Sequence, residues 1–280
     1  MTSRICLSRR FIRTQHSDAP PGAFTEGEDK MRVYALAILG IALICTRGEA
    51  AVLEKEIPLG SEKSLDVSVE FGAGEVNIRK AGDDQVFQGR FEYEDKGMLP
   101  EITYGIVGDV GELELGLQGG TRTVEDMEPR WDLGFTGRVP IDLGVQVGAC
   151  KGTFDLTGLK VASLKLETGA SDLAVLFSTP NEVALDRAVL KVGAARVKAS
   201  GLGHANLKTL SFKGGVGSYT LDFDGEIRRS AKVRIDMGVG SLTLRIPTET
   251  SAQIKVPDSF LTLFSAKGYE QVGNVYLSPG

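Results

Sequence analysis

The sequence predicts a mainly β protein: a single-stranded β-solenoid, or β-helix-like repeat domain, with coils of about 22 residues. Three observations carry that expectation. Six segments alternate apolar and polar residues and then slip phase at one fixed place: 67–78, 143–156, 164–175, 188–199, 210–221 and 233–244. The sixth residue of each segment is glycine (Gly72, Gly148, Gly169, Gly193, Gly215 and Gly238), and from Gly148 onward these glycines are 21, 24, 22 and 23 residues apart. No unit contains a helix-period run long enough to cover a sheet. Alternation with period two is the mark of a strand, and a three-residue step between inward positions is the mark of a corner. A β-sandwich also predicts alternation, but not a phase slip at the same place six times.

Residues 1–30 precede an export signal and are expected to lie outside the fold, as an N-terminal extension that is disordered or belongs to an over-extended reading frame starting upstream of Met31. Residues 31–50 form that signal. Arg32 gives a short basic region, Val33 to Cys45 form an apolar run of thirteen, and Gly48 and Ala50 put small residues at −3 and −1 of a cut between Ala50 and Ala51. The competing reading keeps Met1, leaves Arg9, Arg10 and Arg13 in the cytoplasm, and retains 33–45 as an anchor. Thirteen residues fall short of the ~20 a spanning helix needs.

The remainder, 51–280, is expected to be one repeat domain. In each repeat two short strands flank the glycine corner. The inward set of the first is Val67, Val69, Phe71, Ala73, Val76 and Ile78; of the fifth, Leu210, Phe212, Gly214, Val216, Tyr219 and Leu221; of the last, Val233, Ile235, Met237, Val239, Leu242 and Leu244. The segment from Leu143 fits if one extra residue pair, ending at Leu156, is allowed. Two residues after the corner glycine comes Gly74, Cys150, Ser171, Ala195, Gly217 or Gly240, always small where coils would stack. Residues 252–263 read as a seventh, atypical unit, as expected of a terminal cap. Between the first and second units, 79–142 reads as an acidic β-rich insertion, with eleven acids against Lys96, Arg122 and Arg130 from Glu92 to Asp132. That stretch carries a net charge of −8, while the chain after Ala50 carries −7. The insertion is therefore the expected contact surface for an unknown protein or envelope partner.

The same arithmetic excludes function classes. A net charge of −5 argues against a nucleic-acid binder. After Ala50 only one cysteine (Cys150) and one histidine (His204) remain, too few for a disulfide or a His/Cys metal site, so no cofactor or metal is expected. The runs 214–217 (GGVG) and 238–241 (GVGS) sit at structural corners and are not followed by a phosphate-binding lysine. A carbohydrate-active solenoid would need clustered carboxylates in its outward columns. The first reads Glu70, Gln146, Glu167, Lys191, Lys213, Asp236 and the second Asn77, Asp155, Ala174, Lys198, Thr220, Thr243, so charges mix and no three acids align. No catalytic residue is assigned.

Several segments together resemble the bacterial toastrack domain family, whose β module also forms the C-terminal part of LiaF-like membrane proteins: VSVEFGAGEVNI, FEYEDKGMLPEITY with GELEL, WDLGF followed by VPIDLGVQVGAC, LETGASDLAV and MGVGSLTLRIP. The likeness covers 52–280 and rests on corner and strand motifs. It implies a non-enzymatic structural or protein-interaction module of the cell envelope, secreted or periplasmic, with a link to envelope stress. Membrane attachment follows only if the leader is retained. Two alternatives stand beside it: a carbohydrate-active β-helix enzyme using acids of 92–132, and a membrane-anchored accessory subunit of an envelope-stress sensor.

Overall fold

The computed structural model describes residues 2–8, 42–43, 51–93, 99–118, 128–256 and 265–278. Among these the chain is β throughout, with no helix. The strands are β1 (Thr2–Ser8), β2 (Ala42–Leu43), β3 (Ala51–Pro58), β4 (Ser64–Lys80), β5 (Gln85–Tyr93), β6 (Leu99–Val107), β7 (Val110–Gln118) and β8 (Arg130–Phe135). They continue as β9 (Pro140–Asp155), β10 (Lys160–Leu176), β11 (Arg187–Ser200), β12 (Thr209–Asp222), β13 (Ala231–Arg245), β14 (Ser251–Lys255), β15 (Glu270–Val272) and β16 (Val275–Leu277). All belong to one sheet.

Its centre is a parallel stack in the order β4, β9, β10, β11, β12, β13. The two short strands expected in each repeat are one continuous bent strand. Pairing runs through the corner and skips only the glycine: Val147 pairs with Thr168, and the next pair is Ala149 with Ala170. The same gap recurs between Thr168–Val192 and Ala170–Ala194, and between Val192–Gly214 and Ala194–Val216. The ladder therefore survives the bend, with only the corner glycine left unpaired at it.

Burial corrects the inward set at one place. Ala73, Ala149, Ala170, Ala194, Val216 and Val239, immediately after the corner glycine, all face solvent. The three-residue step falls one position earlier, from Phe71 to Gly74 and from Val147 to Cys150. Glycine and its successor together form the outside of the corner, and the small second residue faces in. The extra pair expected before Leu156 is also absent. Gly152 pairs with Leu173 and Phe154 with Val175 in unbroken register, so the repeat simply has glycine where others have an apolar side chain.

The stretch from 79 to 142 is built into the sheet. The first half of β4 pairs with β7 (Leu65 with Gly111) and its second half with β8 (Ile78 with Leu133), both parallel. β7 and β8 thus share one edge of β4, while β9 occupies the other. Antiparallel β5 and β3 then continue outward from β8. This region contributes a cluster of aromatic side chains to the core. Trp131, Phe87, Phe91 and Phe135 are fully buried, with Trp131 4.6 Å from Phe71 and 5.1 Å from Phe91 between ring centroids. Thr2–Ser8, expected outside the fold, is placed as an antiparallel strand between β13 and β14. Backbone pairing asks only for an extended segment, which apolar alternation alone does not identify.

Candidate functional site

The glycine corners line up across the stack. A Cβ on Gly169 would lie 2.6 Å from the carbonyl oxygen of Gly148, one on Gly215 2.5 Å from that of Gly193, and one on Gly238 2.6 Å from that of Gly215. Real Cβ atoms do not approach oxygen so closely, so glycine is required by the approach of adjacent backbones. Left-handed backbone is not the reason at this column. It appears at the second small column instead, at Gly74 (φ +135°) and Gly240 (φ +140°).

The missing side chains leave a groove of about 620 Å³ on the outer surface, running across β9 to β13. Its floor includes Gly169, Gly193, Gly215 and Gly238, and one wall is the outward row Gln146, Glu167, Lys191, Lys213 and Asp236. Five strands at ~4.8 Å spacing make it about 19 Å long. On the other side of the glycines lies the outward row Ala149, Ala170, Ala194, Val216 and Val239. Val216 and Val239 are register partners, 60% and 70% exposed. One flank is thus charged and the other apolar.

The charged wall is ordered as a ladder. Lys191 Nζ lies 2.7 Å from Glu167 Oε1, and Lys165 adds a contact of 3.5 Å to the same oxygen. The Lys191 hydrogen bond holds the Glu167 carboxyl below its ordinary value. Arg234 Nε lies 2.9 Å from Asp236 Oδ2. Among the described residues Lys213 has no ion pair, so it is the cation of the wall that an outside group can reach.

The remaining sequence candidates fall elsewhere. Gly72 and Gly148 head the same glycine column. Ala50 lies outside the described residues, and Ala51 opens β3. Cys150 is buried, and burial pushes its thiol up to about 11, which makes it a poor nucleophile. His204 sits in the segment joining β11 to β12 and accepts a hydrogen bond from the Glu226 backbone N–H at Nδ1 (3.2 Å), closing a loop of the next connection. The second outward column holds Thr153 rather than Asp155, because no residue pair is inserted. Asn77 there donates to Asp132 Oδ1 (2.9 Å) and accepts from the Thr153 N–H (3.1 Å).

Three acids do align, contrary to the sequence reading. Asp66 on β4 pairs with Glu112 on β7 and with Asp142 on β9. The Asp66 carboxyl is held above its ordinary value, first by desolvation and then by Asp142, Glu112 and Glu114. The alignment is not visible in the sequence because it needs β7 and β9 on opposite edges of β4, which the spacing does not specify. Other acids of 92–132 are locally neutralised: Glu92 by Arg90 (3.0 Å), Asp109 by Lys63 (2.8 Å), Glu128 by Lys151 (2.7 Å) and Asp132 by Arg130 (3.1 Å). Glu94, Asp95, Glu125 and Asp126 lie outside the described residues.

Two buried asparagines went unnoticed in the sequence. Asn181 donates from Nδ2 to the carbonyls of Val161 (2.8 Å) and Ala205 (3.2 Å), tying its own connection to the start of β10 and to the next connection. Asn206, at φ +53°, donates to Val183 O (2.9 Å) and accepts from Arg229 Nε (2.8 Å). Their signal was positional: an asparagine in each of two successive connections, 25 residues apart.

Among the described residues no helix is long and apolar enough to cross a membrane, and no group of three His, Cys, Asp or Glu side chains is placed to hold a metal ion. The molecule is thus a bent parallel β stack with a shallow outer groove. The model of the N-terminal domain of toast_rack, DUF2154, matches residues 46–199 and again 181–245. The chain belongs to the toast_rack N-terminal domain family. A solved structure of a candidate cell adhesion protein from Clostridium sporogenes matches with a TM-score of 0.54 at 18% identity, covering 70% of this chain and 99% of that one. It shares the fold. A candidate adhesin from Bacteroides fragilis matches at 10% identity over 70% of this chain and 97% of that one, with a TM-score of 0.26. No curated protein matches the sequence.

Proposed function

We propose that this chain is an exported, non-enzymatic interaction module of the bacterial cell envelope. Its repeats act as β-solenoid coils of about 22 residues that hold a contact surface rigid. The observation that carries the reading is the exposed Val216–Val239 pair beside a glycine-floored groove with the reachable cation Lys213. Large exposed apolar side chains placed next to each other mark contact surfaces rather than solvated ladders. The Clostridium sporogenes structure that shares the fold is named as a candidate cell adhesion protein, which agrees with this reading. Export rests on the leader at 31–50 and a cut between Ala50 and Ala51, which places the domain in the periplasm or outside the cell. A link to envelope stress rests on the LiaF-like resemblance.

A second contact surface is supported by the Glu112–Asp66–Asp142 row. Its mutual repulsion favours a basic partner, and of its members only Glu112 belongs to the acidic stretch 92–132.

Co-sedimentation of the purified protein with isolated envelope fragments tests the first surface. The wild type sediments, and Val216→Ser with Val239→Ser raises the Kd for the fragments about tenfold, which corresponds to ~1.4 kcal/mol. Unchanged binding would remove the groove from the reading. Release of soluble sugar from those fragments would instead favour the carbohydrate-active alternative.

A further inference from the structure

β1 lies between β13 and β14 and is antiparallel to both. β13 and β14 are therefore parallel to each other, one strand apart. Their alignment across β1 is uniform in backbone register: Ile5 pairs with Val233 on one side and Ile254 on the other, Arg4 with Arg234 and Lys255, and Leu7 with Ala231 and Ala252. Each aligned pair is 21 residues apart, which is also the offset between β9 and β10 at Ala149 and Ala170. The same face points inward on both strands, because Ala231, Val233 and Ile235 are buried, as are Ala252, Ile254 and Val256. β14 thus already has the direction, register and facing of the next repeat. Only its distance is wrong, by one strand spacing.

We propose that Thr2–Ser8 is a removable placeholder: once residues 1–50 are cut away, β14 closes on β13 as the next parallel strand of the stack. The inference rests on the cut at Ala50 proposed above. Loss of β1 bares the backbone edges of both β13 and β14, and direct pairing restores both at once. A one-residue slip would turn every side chain over, but here the register needs no slip. The connection from Arg245 to Ser251 spans five residues, and the four residues between Asp155 and Lys160 make the equivalent connection between β9 and β10. β14 brings its antiparallel partner β16 along, so the outer edge stays covered.

The test uses the full chain carrying Cys6→Ser and Cys45→Ser, a specific protease site in place of 46–50, and Arg234→Cys with Lys255→Cys, two solvent-facing positions. Before cutting, these positions are two strand spacings apart, ~9.6 Å, which a disulfide cannot bridge because its Cα atoms must lie within about 7 Å. After cutting, closure brings them to ~4.8 Å. The expected result is release of the 1–50 peptide and a rise of about tenfold in the fraction crosslinked under mild oxidation. Glu167→Cys with Lys191→Cys, on strands already adjacent, is the control and crosslinks before and after the cut. Full crosslinking of 234 to 255 before the cut overturns the proposal, as does a cut protein that crosslinks only at the control pair. Retention of the peptide overturns it too, as does a concentration-dependent dimer that fills the slot with a strand from a second copy. Because the cut is made in vitro, these outcomes do not depend on export; N-terminal sequencing of the protein recovered from cells tests that reading separately.

Discussion

The stack from β9 to β13 and the region from β3 to β8 solve one packing problem in opposite ways. In the stack, neighbouring strands approach so closely at the corner that the column admits no side chain, and the core beneath is mainly aliphatic, with rings spread along it (Phe154, Phe177, Phe223) and one edge-on pair, Phe212 and Tyr219 at 5.0 Å. In the N-terminal region the strands reverse direction and the spacing is filled by rings, with Trp131 between Phe71 and Phe91. The stack is limited by what cannot be added, and the N-terminal region by what cannot be removed.

The largest effect is expected where the aromatic region loses its centre. Trp131→Ala should destabilise by about 3–5 kcal/mol, measured by denaturant midpoint, since collapse around a fully buried indole is incomplete. Trp131→Phe sharpens the point. The buried Nε1 has no hydrogen-bond partner, so phenylalanine removes an unpaired donor together with part of the ring. It should cost less than half as much as alanine. Equal losses for the two would show that polar satisfaction, not ring volume, governs this site.

Next come additions to the glycine column. Gly193→Val should cost about 1–3 kcal/mol or more, because a side chain at this internal strand meets the Gly169 carbonyl with strands fixed on both sides. Gly238→Val meets the Gly215 carbonyl in the same way, but β13 is the last strand of the parallel stack and can yield outward, so its cost should be smaller. Ser241→Val, at an exposed position on the same strand, should change the midpoint little. The order Gly193, Gly238, Ser241 is the test. Equal midpoints would mean that the close backbone approach does not limit the column.

How far the two regions could be read from the sequence follows from the same contrast. The stack repeats itself, so Gly148, Gly169, Gly193, Gly215 and Gly238 announced both the bend and the offset. What could not be read was the direction of residues too small to declare a side. Ala73, Ala149 and Ala194 suit either face, and Val216 and Val239, which resemble core residues, lie outside. The groove was illegible for the same reason, because it is defined by missing side chains and by register. The N-terminal region has no repeat, and β4 finds β9 across 76 residues, from Leu65 to Ile141. Alternation marked its strands but could not tell which edge of β4 would receive β7.

That missed pairing gives the smallest and most specific expectation. Cys150→Ala should be nearly neutral, since Ala195 fills the equivalent small slot two strands further along the stack and the high-pKa thiol is a poor nucleophile. Asp66→Asn should instead stabilise the protein at neutral pH, by a few tenths of a kcal/mol for an exposed group beside like charges. The sign follows from linkage. A carboxyl held above its ordinary value binds its proton more readily in the folded state than in the unfolded one. Stability therefore falls as pH rises from the ordinary carboxylate range through the folded value, and the penalty is then constant up to neutrality. Asparagine removes that slope. Denaturant midpoints measured from about pH 7 down to about pH 3 should show the variant ahead at neutral pH, with the gap closing as Asp66 protonates. A gap that widens in acid would mean that Asp66 is held by a favourable partner, and that the Glu112–Asp66–Asp142 row carries no net repulsion for a basic partner to relieve.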